Sequence, residues 1–346
     1  MANITYYFGA GASIHTLPMV KQIPDRIEMV LEIIKEHQSL FDIDEPIANN
    51  YTTTKKQAYF TFLNDLIWLH ENSKIHASID TFAKKLFLKQ DYKEFDRVKI
   101  ILSAYLSIEQ ILNKPDFRYD YFYAAILNKS IRNFPNNFKV ISWNYDLQFE
   151  LAYELFKGNK SISTIDDSIR TLNVVSKFTN AEPKLDNFGI YKVNGSAVYS
   201  ENNGFWNYTF GLNLDFKLEQ DALQTLLQAY SSLKEFKSKV NCLLSFSWED
   251  DFNRSNTNII QKTISATKNT EYLVIVGYSF PFFNRDIDRQ LITEMKGLKK
   301  VYFQSPTANE MIERFSSIRP DIELKNLIPI SGLSEFYLPN EITFDY

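Results

Sequence analysis

Cysteine is nearly missing from this 346-residue chain. Cys242 stands alone, which excludes an internal disulfide and any multi-cysteine zinc site. Histidine is almost as scarce, with four, so few positions can offer a neutral imidazole as a proton acceptor. The ten glycines and eleven prolines form no flexible linker, and there is no internal repeat or low-complexity run. Neither sign of charge dominates: 38 basic against 42 acidic residues leave a formal charge of −4 and no general pull toward nucleic acid or anionic membrane. No apolar run approaches the roughly 18 residues that span a bilayer. The first residues lack a basic segment followed by an apolar one, so no secretory signal is expected. The chain reads as cytoplasmic, without metal or redox chemistry.

Aromatic residues, by contrast, are abundant. With 28 Phe, 20 Tyr and 45% hydrophobic residues, the chain can bury a deep core. The apolar run ITYYF at 4–8 predicts a short buried strand that leads directly into Gly9-Ala10-Gly11-Ala12-Ser13. Pro24 and Asp25 then open a helix whose apolar face carries Ile27, Val30, Leu31, Ile34 and Phe41. Further helices are expected at about 55–71, 78–88, 92–112 and 118–134, a stretch too long for a simple crossover and read as an inserted helical subdomain.

From Phe138 strands and helices alternate. Strands are expected at 138–142, 172–175, 189–193, 241–246, 272–277 and 300–304. Helices are expected at 146–156, 217–237, 257–268, 285–296 and 307–316, followed by a less regular tail. The alternation predicts an α/β fold: a Rossmann-like parallel sheet with helices on both faces and a helical insertion.

Ligands of such sheets bind beyond the carboxyl ends of the strands, near a topological switch. Four strand ends carry glycine or polar turns. These are Gly9-Ala10-Gly11-Ala12-Ser13, with Leu17-Pro18 nearby; Trp143-Asn144-Tyr145-Asp146; Asn194-Gly195-Ser196; and Gly277-Tyr278-Ser279-Phe280-Pro281, with Asp286 and Asp288 beyond. Gly9 and Gly11 would let backbone amides approach a diphosphate at a helix start, and Ser13 could donate to the same group. Each turn also has an ordinary reading. A Gly-x-Gly can be a tight turn, Asn144 and Asp146 can cap a helix, and Gly277 with Ser279 can simply end a strand. The acidic run at 248–251 reads as a solvated loop.

Taken in this order, GAGAS…LP, WNYD, NGS and GYSFP…D resemble the bacterial sirtuin-like NAD-hydrolase family, which includes antiphage defence effectors. The resemblance covers about residues 4–306, and SIDTFAKKL at 78–86 is also similar to that family. It implies one domain over 1–346, with the helical insertion at about 50–134 and a C-terminal tail at about 317–346. It implies that NAD is a substrate, cleaved to nicotinamide and ADP-ribose, and that no metal takes part. Gly9, Ala10, Gly11 and Ser13 would hold the diphosphate, with Leu17 and Pro18 lining the pocket. Gly277 and Ser279 would lie near the adenosine ribose, with Asp286 beyond them and Ser305 at the adenine end. Asn144 would face the nicotinamide ribose and Asp146 would orient it or a water.

The chain departs from the family twice. It lacks the four-cysteine zinc module of deacylating sirtuins. Asn194-Gly195 also stands where the family carries His-Gly, and asparagine takes up no proton at neutral pH. His76, just before SIDTF, and His15 are the histidines that could replace that base, while Asn194 would hold the ribose hydroxyls or the water, with Gly195 beside the dinucleotide. The alternative reading is a degenerate module that binds NAD, ADP-ribose or a protein partner without turnover; ADP-ribosyl transfer is a third. The resemblance further implies a homo-oligomer, or a separate ATPase or sensor protein as partner.

Overall fold

A computed structural model of the chain describes residues 2–158, 165–178, 184–201, 216–235, 240–249 and 259–343. At its centre runs β1 (Ile4–Phe8), buried along its whole length. Six helices precede the next strand: α1 (Ile23–Glu36), α2 (Gln38–Phe41), α3 (Lys55–Ile75), α4 (Ile79–Leu88), α5 (Tyr92–Leu112) and α6 (Phe117–Ile126). The starts of the last four follow from capping side chains. Thr54, Ser78, Asp91 and Asp116 each accept a backbone N–H from the first turn that follows. The helix expected at 118–134 stops at Ile126. Beyond it lies a polar stretch with one exposed isoleucine, and Pro135 cannot continue a helix.

The chain then forms β2 (Phe138–Ser142), α7 (Gln148–Phe156), α8 (Ile165–Thr171), β3 (Val174–Ser176), β4 (Gly189–Lys192), β5 (Gly195–Glu201), α9 (Gln220–Glu235) and β6 (Val240–Leu244). It closes with α10 (Ile259–Thr267), β7 (Tyr272–Val276), α11 (Arg285–Thr293), β8 (Lys300–Gln304), α12 (Ala308–Ser316) and β9 (Leu327–Ile330). Seven strands make one parallel sheet in the order β3-β4-β2-β1-β7-β8-β9. The expected α/β, Rossmann-like architecture is thus present. Connections run to one side of β1 through β2 and to the other through β7, so the switch point lies at the carboxyl ends of these three strands.

Two strand expectations change. The strand at 241–246 stays out of the main sheet: β6 pairs antiparallel with β5 and is packed by α5 and α9. The tail contains β9, which adds to β8, and the Gln304 amide then ties it down by donating to the carbonyls of Gly332 and Glu335. Sequence alternation could not separate an edge strand from a loop here, because Leu327–Ile330 is only partly buried.

Each face of the sheet has its own core, as the period-two alternation of strand side chains requires. Ile4, Tyr6 and Phe8 pack with the inserted helices, α7 and Phe336 of the tail. Tyr7, Ile141, Ile275 and Phe303 pack with residues of α10, α11 and α12 on the other face. Among the described residues, no helix is long and apolar enough to cross a membrane.

Candidate functional site

At the switch point the glycines serve backbone packing first. A Cβ on Gly11 would lie 2.7 Å from the Cα of Gly277, and one on Gly9 would lie 2.6 Å from the Cα of Tyr278. Gly277 has φ of +58°, and a Cβ there would meet the Cα of Gly11 at 2.4 Å. Only glycine fits such an approach. The amides follow suit: Gly9 donates to the Val276 carbonyl at 2.9 Å, Gly11 to that of Gly277 at 3.0 Å, and Ala12 to that of Gly9. The two amides assigned to a diphosphate by resemblance are therefore engaged by β7 and its turn. Ala10 is the exposed residue of the turn.

No α-helix starts at these glycines. Ala10–Ser13 is a single 3-10 turn, and α1 begins only at Ile23. The helix dipole expected to favour an anion is thus replaced by one short turn, broken by the approach to Pro18. Arg118 closes that turn by donating to the carbonyls of Gly11 and Ala12 at 3.1 and 2.9 Å. Its guanidinium also pairs with Asp116 and lies over the Phe336 ring.

From the same turn Ser13 reaches across to β2. Its hydroxyl, buried, donates to Asp146 at 3.0 Å and shares a hydrogen bond with the Tyr119 hydroxyl. Asp146 also accepts the Gln148 amide, as a helix cap would. Burial pushes the Asp146 carboxyl above its ordinary range, opposed by Lys192 and these hydrogen bonds. Lys192 is itself buried against Glu150 and donates to the Asp146 carbonyl. Leu17 is buried and Pro18 half-buried next to this turn.

Asn144 leaves β2 one residue after Trp143 and is 7% exposed. Its side-chain Nδ2 is shielded from solvent and meets no acceptor among the described residues. The hydroxyls of Ser196 and Ser247 share that condition, with the two residues 0% and 2% exposed. Asn194 links the segments that carry all three. Its Nδ2 donates to the Trp143 carbonyl at 2.8 Å, and its Oδ1 accepts the Ser247 amide at 2.9 Å. Gly195 has φ of +67°, where a Cβ would strike the Leu243 carbonyl at 2.1 Å, so the pairing of β5 with β6 demands glycine there.

Several assigned residues sit elsewhere or face outward. His76 caps the end of α3, where its ring nitrogens lie against the Asn72 carbonyl and Lys85 and its ring against Phe82. The neighbouring Asp80 is the residue of that segment that reaches the site, accepting the Tyr145 hydroxyl; burial raises its carboxyl. His15 is exposed and stacks on Phe117. Ser279 is exposed and its carbonyl accepts from Arg314. Ser305 is buried and its hydroxyl accepts the Thr307 amide at the start of α12. Asp286 is exposed on the first turn of α11, whereas Asp288 is fully buried. Asp288 accepts the Tyr7 hydroxyl at 2.5 Å and that of Tyr278 at 3.1 Å, and burial pushes it up to about 8.

The segment read as a solvated acidic loop is partly core. Trp248 stacks on Phe246 under Lys84, and Glu249 pairs with Lys99 while accepting the Phe246 amide. Asp250 and Asp251 lie outside the described residues. Ser247, in this segment, escaped the sequence reading. The sequence reading ran the strand through Phe246 and began the solvated loop at Trp248, so Ser247 fell between the two. A cavity of about 460 Å³ lies away from these turns, at the amino-terminal edge of the sheet.

The fold and its switch point therefore define a Rossmann-like α/β protein with a polar, partly unsatisfied site at its carboxyl edge. The chain matches no family model and no curated protein.

Proposed function

We propose that the protein binds NAD across the carboxyl ends of β1, β2 and β7 and hydrolyses its nicotinamide–ribose bond, giving nicotinamide and ADP-ribose. The observation that carries this reading is the meeting of Ser13 with Asp146, 133 residues apart, beside a buried Asn144 whose side-chain Nδ2 has no partner among the described residues. A buried donor without a partner is costly, and sites that bind ligands are where such cost is tolerated. Departure of nicotinamide with the bonding electron pair leaves a cation-like sugar. A fixed carboxylate in a dry setting stabilises that charge, and here Asp146 supplies it. Water then attacks the anomeric carbon and passes its proton to Asp146. Asn144 donates to a ribose hydroxyl and holds the sugar against attack from the wrong side. The family resemblance extends the reading to a cellular role, depletion of NAD in antiphage defence.

A second reading, binding without turnover, is favoured by Asn194. Both functional atoms of its amide are spent on Trp143 and Ser247, so it supplies no base at the family's histidine position. Incubation of the purified protein with NAD separates the two. The resemblance implies oligomers or an ATPase or sensor partner, so the assay includes concentrated protein and the products of neighbouring genes. Nicotinamide release that falls by about 100-fold or more in Asn144→Ala supports hydrolysis. Saturable binding of NAD that stays intact supports the second reading, and absence of binding rejects both.

A further inference from the structure

Behind the carboxyl-edge rim, on the sheet face opposite the inserted helices, three buried rings meet. Tyr7 comes from β1, Trp143 directly follows β2 and Tyr278 lies in the turn after β7. The Tyr278 ring stacks on Trp143 at 5.1 Å and meets Tyr7 edge-on at 5.2 Å, while Tyr7 lies 6.2 Å from Trp143. Interiors packed this closely transmit displacement from one ring to the next.

α11 supplies the polar group that fixes the cluster. Asp288 is fully buried and accepts the Tyr7 hydroxyl on one carboxyl oxygen and the Tyr278 hydroxyl on the other, at 2.5 and 3.1 Å. Asn284 Nδ2 donates to the same Tyr278 oxygen at 3.2 Å. Among the described residues no cation pairs with this carboxyl. Burying it costs stability that an apolar side chain would not lose, but a satisfied buried network fixes one arrangement of its members. Phe280, in the same turn, keeps a φ of +50° that bulky residues rarely adopt, as a turn held from several sides allows.

Trp143 carries this arrangement to the rim. Its ring is held by Tyr278 and its carbonyl accepts Asn194 Nδ2 at 2.8 Å, so it is clamped at both ends. The next residue is Asn144. Any tilt of the indole therefore reaches the Asn144 backbone through one peptide bond.

The Asp288 proton gives a handle on this path. Tyr7 of β1 and Tyr278 of the β7 turn are the titratable groups that face it, and burial holds both hydroxyls well above their ordinary value. Charged residues of the surrounding elements do not shift it. Arg285, Asp286 and Arg289 are exposed on α11, Arg314 of α12 donates to the Ser279 carbonyl, Arg319 pairs with Asp321, and Lys262 of α10 is half-buried. Burial pushes the Asp288 carboxyl up to about 8, opposed by the two tyrosine hydroxyls. Ionisation then places a charge among rings with no cation to receive it, and the tyrosine contacts rearrange.

We propose that Asp288 is a positioning residue for Asn144, setting through Tyr278 and Trp143 where the Asn144 amide stands at the rim. Its consequence for a ligand rests on the NAD reading above, whereas the link itself is measured on the unliganded chain. The test is amide-correlation NMR of the nitrogen-15-labelled full chain from about pH 6 to about pH 10. The Trp143 indole and Asn144 side-chain signals are those that vanish in Trp143→Phe and Asn144→Ala. Both shift together with a midpoint near 8, and both stay flat in Asp288→Asn. Tyr278→Phe keeps the ring on Trp143 but removes the hydroxyl, and the Asn144 shift shrinks. With ADP-ribose as the probe, affinity falls about tenfold across this range in wild type and stays level in Asp288→Asn. The proposal falls if the Asn144 amide stays flat, with or without movement of Trp143, or if its shift persists in Asp288→Asn. It falls equally if ADP-ribose binds with one affinity at every pH. Failure of both NAD and ADP-ribose to bind at any pH rejects the NAD reading alone, because the amide signals are read without either.

Discussion

The two halves of the carboxyl-edge rim are built on opposite terms. Where β1 meets β7, backbone lies on backbone: Gly9 and Gly11 donate to β7 and its turn, and Tyr278 is held by Asp288 and stacked on Trp143 at 5.1 Å. Where β2 meets β5 and β6, three buried polar side chains, Asn144, Ser196 and Ser247, carry atoms without partners among the described residues. The first half is held mainly by paired backbone and acts as scaffold, although the buried Trp143 Nε1 there meets no acceptor among the described residues; the second concentrates unmet hydrogen-bonding capacity in polar side chains. Glycine-rich turns are commonly read as ligand cradles, yet here the need for glycine is fully explained by the approach of two turns.

Gly277→Ala tests the scaffold half and should have the largest effect. The substitution adds a methyl 2.4 Å from the Gly11 Cα at a residue whose φ is already +58°. The clash is with backbone, so no flexible side chain can move aside. A loss of at least about 4 kcal/mol is expected in denaturant unfolding, or failure to fold. Wild-type stability in the Gly277→Ala variant would show that the two turns part readily and that their contact is not structural.

A second test on the same half uses pH. The Asp288 carboxyl, at about 8 in the folded chain, has an ordinary aspartate value near 3.9 when unfolded. Between these values the folded state keeps a proton that the unfolded state has released. Stability from this group is therefore complete below about pH 4 and is lost as pH rises through about 8. Asp288→Asn removes the group, so the stability difference between variant and wild type should shift in the variant's favour from pH 5 to pH 9, by up to about 4 kcal/mol. Asp146 and Asp80 are raised in the same direction in both proteins and cancel from that difference. Parallel stability profiles would mean that Asp288 is ionised and paired in the folded chain.

The sheet was legible because its signals are local. Apolar runs such as ITYYF and the turns after them repeat at strand spacing, and Ser78, Asp91 and Asp116 mark helix starts directly. The convergence of Ser13 and Asp146 was legible only through the rule that parallel strands share one carboxyl edge. What stayed hidden depends on partners far along the chain. The fate of β6 is decided by pairing with β5 and packing on α9, and the use of the Gly9 and Gly11 amides by the position of β7. The difference between Asp286 and Asp288 is one of helical phase, which a local pattern of two acidic residues at the start of α11 does not reveal. Arg118, which closes the glycine turn, lies 107 residues from Gly11 and left no mark in its own neighbourhood.

The smallest effect is also the sharpest test of the unsatisfied half. Ser247→Ala deletes a buried hydroxyl that has no partner among the described residues, while the backbone amide of residue 247 keeps its bond to Asn194. An ordinary structural serine would lose about 1 kcal/mol or more on this change, because its partner would be left bare. Here no partner exists among the described residues, so the variant should unfold at the same denaturant concentration as wild type, or be more stable by about 1 kcal/mol. Binding of ADP-ribose should weaken in the same variant, since the hydroxyl is then missing when the ligand arrives. A clear loss of stability in the unliganded protein would show that Ser247 is satisfied from within, and the contrast between the two halves of the rim would disappear.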